Sequence, residues 1–376
     1  MNPNTSIYLD AVRFLAAMVV FASHANYQRF TGGVPLFEPV AGLGNDAVMV
    51  FFVLSGYVIA HVAATRESHL GEFAASRLAR LYSVVVPALL LTFVLDTLGA
   101  QLDPSLYTGR WYEMDHPLQR MAAGLTFTNE LWFSYTRPFS NGPFWSIGYE
   151  FWYYVLFAVA HYLPPGRRTL AVAAVCLIVG PKILLLLPVW WMGVWAYRLS
   201  QRRLPGVAMS ALLFFAPLVA YAAFRQADGP GLLLELAGRH LGEEVLHDQL
   251  SWSRHFLANY VIGALVAAHF VGLAGLAPHL SALPAAAERA VRHLAGFTFS
   301  LYLLHYPLVQ FFSASVPVLG LEAHRAAWVV AASLGAVWCI GARLERQKGP
   351  LKRLFMGWFT PVRHPRLGAP APAVSG

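Results

Sequence analysis

Apolar residues run along this chain in long, nearly uncharged stretches separated by short polar ones. Such runs suit segments immersed in hydrocarbon better than amphipathic faces around a soluble core. Runs of membrane length or slightly less lie near 8–27, 43–64, 80–99, 144–163, 168–180, 183–199, 206–224, 255–275, 296–318 and 326–342. The pattern predicts an all-α integral membrane protein of about ten transmembrane helices, with a membrane unit over 1–345. The fifth run is short, and Gly180-Pro181-Lys182 after it is the weakest boundary. Two connections are long, at about 100–143 and 225–254. Residues 346–376 form a basic tail ending in Pro, Ala and Gly, and disorder is expected there. No repeat of fixed period is visible.

Composition supports the immersed reading. Hydrophobic residues make up 57% of the chain and charged ones 12%, against about 25% charged in soluble domains. A formal charge of +8 would suggest nucleic acid in a soluble protein, but here location decides. Ten spans put both termini on one side, and 17 of the 27 Lys and Arg residues fall in the loops and tail of that side. Acidic residues favour the opposite loops. This asymmetry predicts cytoplasmic termini in a cell inner membrane and no nucleic-acid partner. Cys176 and Cys339 lie inside apolar stretches and read as packing residues. The first run has no basic residue before Arg13 and reads as a retained helix. The first long loop carries Trp111, Tyr112, Trp132, Phe133, Tyr135 and Phe139, which suit sugar stacking, interfacial anchoring or loop packing.

Candidate chemistry comes from ionisable residues inside the runs. Arg13 and His24 share the first one. Eleven residues at about 100° each return to within roughly 20° of the same direction, so both side chains point one way, some 16 Å apart. Asp10 shares that face and can pair with Arg13. Ionisable groups at such depth cost a few kcal/mol (about 2.5–3.5 by insertion scales), so a functional face toward a protein interior or wet cavity is expected. A structural Asp10–Arg13 pair accounts for the arginine but not for His24.

Further along, Ser55 and Gly56 in "FFVLSG" are small residues that let a helix or a thin ligand approach. Arg77 and Arg80 lie three apart on one face at the membrane surface. That suits a phosphate-bearing ligand, or plain positive-inside anchoring. In "GPFWSIGYEFWYY", Trp145 and Ser146 sit at the outer boundary and Glu150 about 9 Å below the helix end. In "FSLYLLHYPL", Tyr302 and His305 lie three apart, with Pro307 expected to kink the helix just after.

Arg13-x10-His24, "FFVLSGY", Arg77-x-x-Arg80, "FWSIGYEFWYY" and "SLYLLHYPL" together resemble the ordered signature of the membrane acyltransferase-3 family, from residue 8 to about 345. Many members carry an acidic residue two before the Phe-Phe pair. This chain has Met49 there, with Asp46 one turn earlier. The resemblance implies transfer of an acyl group, most often acetyl from acetyl-CoA, to a hydroxyl of a carbohydrate such as a surface polysaccharide or lipopolysaccharide. Acyl-CoA is then a co-substrate, with no permanently bound cofactor and no metal. Arg77 and Arg80 would hold its phosphates, and its thin arm would pass Ser55 and Gly56. Arg13 would orient it, and His24 would act as base or acyl carrier with Glu150 orienting it. Tyr302 and His305 would be donors or lining groups. A homo-oligomer is left open. The rival class is a membrane carrier of a small polar solute, since intramembrane Arg, His and Glu also mark transport routes. An inactive sensor of the same fold is a third.

Overall fold

A computed structural model describes residues 1–109, 112–202 and 206–359. The described residues contain helices, turns and bends and no strand. Helices fall on each of the ten apolar runs: α1 (Pro3–Ala25), α2 (Gly44–Thr65), α3 (Leu70–Leu102), α4 (Trp145–Tyr162), α5 (Pro165–Val179), α6 (Pro181–Ser200), α7 (Val207–Gln226), α8 (Phe256–Leu276), α9 (Thr298–Leu319) and α10 (Arg325–Arg346). An eleventh, α11, covers Lys348–Phe359.

Among the described residues, seven helical segments are long and apolar enough to cross a membrane, five of them being α1, α2, α3, α6 and α7. The other two contain α8 and α10. α4, α5 and α9 do not reach that measure. α5 has only fifteen residues, and α4 and α9 are diluted by the polar side chains described below.

Local chemistry places the boundaries. Asn2 caps α1 by accepting from the Asn4 amide at 2.8 Å, with Pro3 at the first helical position. Between α5 and α6 stands Gly180 alone, at φ +76, a conformation that strongly favours glycine. The tail departs from the expected disorder over Lys348–Phe359, the twelve residues of α11. Phe355 of that helix packs on Ala75 and Ala79 of α3, and this burial orders it. Residues 360–376 lie outside the described residues, as do Arg110, Trp111 and Arg203.

The centre of the bundle is a close crossing of α2 and α6. A methyl group on Gly56 would overlap the Trp190 carbonyl oxygen, and one on Gly193 would overlap that of Val53. The two backbones touch through these glycines, a small-residue packing common between membrane helices. α1 packs against α2 and α9, α9 against α3 and α10, and α8 against α6 and α7. α9 continues through Pro307 as one helix. Proline cannot donate to the carbonyl four residues back, that of Leu303. Asn141 Nδ2 donates to it instead, at 2.9 Å.

Candidate active site

Two cavities lie end to end between α1, α2, α4 and α9. The first is bordered by Arg13, Ser55, Arg80, Glu150, Thr298, Phe299, Glu345 and Lys348, with apolar side chains of α2. The second is bordered by Ser23, His24, Tyr27, Asn45, Arg137, Trp145, Trp252 and Tyr306. Val48 and Tyr302 line both. Arg13 and His24 therefore do share one face of α1, each opening into a different chamber.

The first cavity gathers charge. Arg13 is bonded to Asp10, and Arg292 reaches the same carboxylate at 3.3 Å. Arg80 lies 4.0 Å from Glu150 and near the Phe299 ring. Glu150 accepts from Ser55 Oγ at 2.9 Å and from the Tyr154 hydroxyl. Glu345 pairs with Lys348 and accepts from the Ser300 amide at 3.2 Å, in the first turn of α9, where a carboxylate complements the helix dipole. Three cations thus border one cavity, with two carboxylates between them. A phosphate-bearing ligand fits such a rim.

The second cavity holds the histidines. His24 Nδ1 lies 2.8 Å from His305 Nε2, and His305 Nδ1 lies 3.0 Å from the Leu301 carbonyl oxygen. His305 is fully buried. Tyr306 meets the His24 ring edge-on at 5.2 Å and is bonded to Arg29. At the junction the Tyr302 hydroxyl donates to the Pro143 carbonyl at 3.1 Å and shares a 2.7 Å hydrogen bond with Ser146 Oγ. Trp145 stacks on Trp252 at 5.4 Å, their planes 5° apart.

Several expected assignments change. Glu150 borders the cavity opposite to His24, and the partner of His24 is His305. Arg77 is turned away from both cavities. Its guanidinium donates to Glu67 at 2.7 and 2.9 Å and lies over the Phe73 ring, so it ties the α2–α3 turn and does not reach the cavity rim. Gly56 is spent on the helix crossing, while Ser55 one residue earlier faces the cavity. Asp46 does not stand in for an acid at Met49. Met49 is buried in the core, and Asp46 accepts from Tyr221 at 2.8 Å and lies 3.5 Å from Arg225.

Of the aromatic loop residues, Trp132 and Phe133 are exposed and Phe139 is fully buried. The Trp132 indole donates to the Leu177 carbonyl. The cavity's own aromatics are Tyr27, Trp145, Trp252, Tyr302 and Tyr306. The sequence does not single out Glu345, the last residue of the expected membrane unit, or Lys348 in the tail; Lys348 comes to the cavity through the docking of α11 on α3. The described residues gather no cluster of His, Cys, Asp or Glu fit for a metal.

The sequence matches the family model described as an acyltransferase domain over residues 6–342. An O-acetyl transferase of Shigella phage Sf6 is 28% identical over 173 residues, covering 44% of this chain and 49% of that protein. The chain's match thus spans about half of that relative. Acyltransferase MdmB of Streptomyces mycarofaciens is 24% identical over 328 residues, covering 81% of this chain and 79% of that one. No solved structure matches. With the acyltransferase domain model covering nearly the whole helical unit around both cavities, the chain belongs to the acyltransferase-3 family.

Proposed function

We propose that this protein transfers an acyl group, acetyl in the first instance, from acyl-CoA bound at the first cavity to a hydroxyl of a carbohydrate acceptor bound at the second. The observation that carries this is the meeting of the two chambers at Val48 and Tyr302, one with a cationic rim and the other with a histidine. Ten spans with cytoplasmic termini, in a cell inner membrane, turn the cationic rim to the cytoplasm, where acyl-CoA is available. Arg13, Arg80 and Lys348 hold the donor's phosphates. The thin pantetheine arm runs up past Ser55, which Glu150 orients. The thioester then reaches the junction.

Attack by a hydroxyl on a thioester needs a base and a stabilised oxyanion. His24 takes the proton from the acceptor, whose oxygen bonds to the thioester carbon. The carbonyl oxygen becomes the oxyanion at the junction, where the hydroxyls of Tyr302 and Ser146, bonded to the Pro143 carbonyl in this structure, turn to donate to it. Collapse breaks the carbon–sulfur bond, and the departing thiolate takes the proton back from His24. Trp145, Trp252 and Tyr27 provide flat faces for a sugar ring.

Mass spectrometry of envelope glycans and secreted metabolites, with the gene, without it, and with His24→Ala, tests the proposal. An acyl increment should appear only with the intact gene, while His24→Ala still inserts and accumulates. Full acylation by His24→Ala would refute the base assignment. Unchanged acylation with altered accumulation of a solute would point to a carrier instead.

A further inference from the structure

The contact between the two histidines has a direction, and a third atom sets it. His305 Nδ1 is 3.0 Å from the Leu301 carbonyl oxygen. A carbonyl only accepts, so the proton in that bond sits on Nδ1. In a neutral ring the remaining nitrogen, Nε2, then offers a lone pair. His24 Nδ1 lies 2.8 Å from that lone pair, so the proton between the rings belongs to His24. His24 Nε2 is left bare, on a ring that lines the second cavity.

Ring geometry supports a hydrogen bond over a stacked contact. A ring nitrogen lies about 1.1 Å from the ring centre, so a bond of this length made in both ring planes separates the centres by about 5 Å. The centres are 5.0 Å apart, with planes 21° from parallel. A charged His305 donating from both nitrogens would need a counter-charge at a fully buried position. Among the described residues no carboxylate contacts either ring. The ion bonded to neighbouring Tyr306 is Arg29, of the same sign.

We propose that His305 is a positioning residue of the transfer, fixing His24 in the one tautomer whose free Nε2 faces the acceptor. This rests on His24 being the base. As His24 Nε2 takes the hydroxyl proton, its Nδ1–H stays bonded to His305, and that bond strengthens as the ring becomes an imidazolium. When the thiolate leaves, Nε2 returns the proton to sulfur. His305 gains and loses nothing. The Leu301 carbonyl, a backbone group that cannot titrate, holds the whole chain of donors in register, and the rings of Phe21 and Tyr306 abut the pair.

The test uses the full-length protein in membrane vesicles that supply the native acceptor, with radiolabelled acetyl-CoA as donor. His305→Leu removes the acceptor atom, His305→Gln keeps an oxygen able to accept from His24 Nδ1, and His305→Lys offers only donors. Loss of an orienting group of this kind is worth roughly 10²–10⁴-fold. The expected result is a maximal rate at least tenfold lower for Leu and Lys, an apparent KM for acetyl-CoA within about threefold, and recovery of at least tenfold by Gln relative to Lys. Smaller losses, equal losses in Gln and Lys, or a loss carried by KM would overturn the proposal. Gln and Lys are both polar and long, so their comparison stands even where Leu fails to fold. An inactive His24→Ala beside an active His305→Leu removes the positioning role alone. An active His24→Ala removes the base itself.

Discussion

Two arginines three residues apart on α3 divide into separate jobs. Arg77 is nearly buried and doubly bonded to Glu67, whereas Arg80 borders the first cavity beside Glu150. Removing one partner of a buried pair leaves an uncompensated charge and costs about 3–5 kcal/mol. Arg77→Ala should therefore lower the melting temperature in detergent while the surviving folded fraction keeps its KM for acetyl-CoA. Arg80→Gln should do the reverse, raising that KM about tenfold or more with little change in melting, since a charge-assisted bond to phosphate is worth about 1.5–3 kcal/mol. A raised KM in Arg77→Ala, or none in Arg80→Gln, would reassign the donor site. Spacing made both residues visible in the sequence. It did not separate them, because Glu67 enters through a turn whose conformation no helical periodicity describes.

At the scale of elements, the α2–α6 crossing anchors α2, the helix that brings Ser55 to the first cavity. Gly56 and Gly193 each meet the other helix's backbone, and a backbone cannot turn aside as a side chain does. Gly56→Val should be among the most destabilising single changes in the bundle. Overpacking costs typically 1–3 kcal/mol, and here the helices must part to admit the side chain. Thermal unfolding in detergent measures this, and a melting temperature within one or two degrees of the parent would show that the crossing yields. The helices themselves were legible: all ten apolar runs became helices. Their partners were not. Nothing in the run 144–163 says that Glu150 faces Arg80 in preference to His24, and nothing in a basic tail says that α11 brings Lys348 to a cavity. Those neighbours are chosen by packing between segments far apart in the sequence, such as Asn141 completing the ladder that Pro307 interrupts, by a bond to the carbonyl 162 residues on.

For the whole molecule, the proposed ten spans and cytoplasmic termini make a direct prediction. A green fluorescent protein fused after residue 376 should fluoresce, and an alkaline phosphatase at the same place should be inactive. The opposite pair of results would invert the bundle and turn the cationic rim away from the source of acyl-CoA. Among the described residues, length and hydropathy mark seven segments as able to cross a membrane. α4, α5 and α9 lack the same signal, and two of these three supply Glu150, Ser146, Tyr302 and His305. The helices that carry the polar site are the ones hydropathy detects least.

The junction at Val48 and Tyr302 also bears on the thermodynamics of the proposed reaction. In that proposal donor and acceptor enter from opposite chambers, so the two products part in opposite directions. Free CoA returns to the compartment that recharges it, and the acylated product departs on the far side. The back reaction needs both products to re-enter the bundle together, each from its own side, so recharging of CoA below and dispersal of the acylated product above pull the proposed transfer forward, with no ion gradient required.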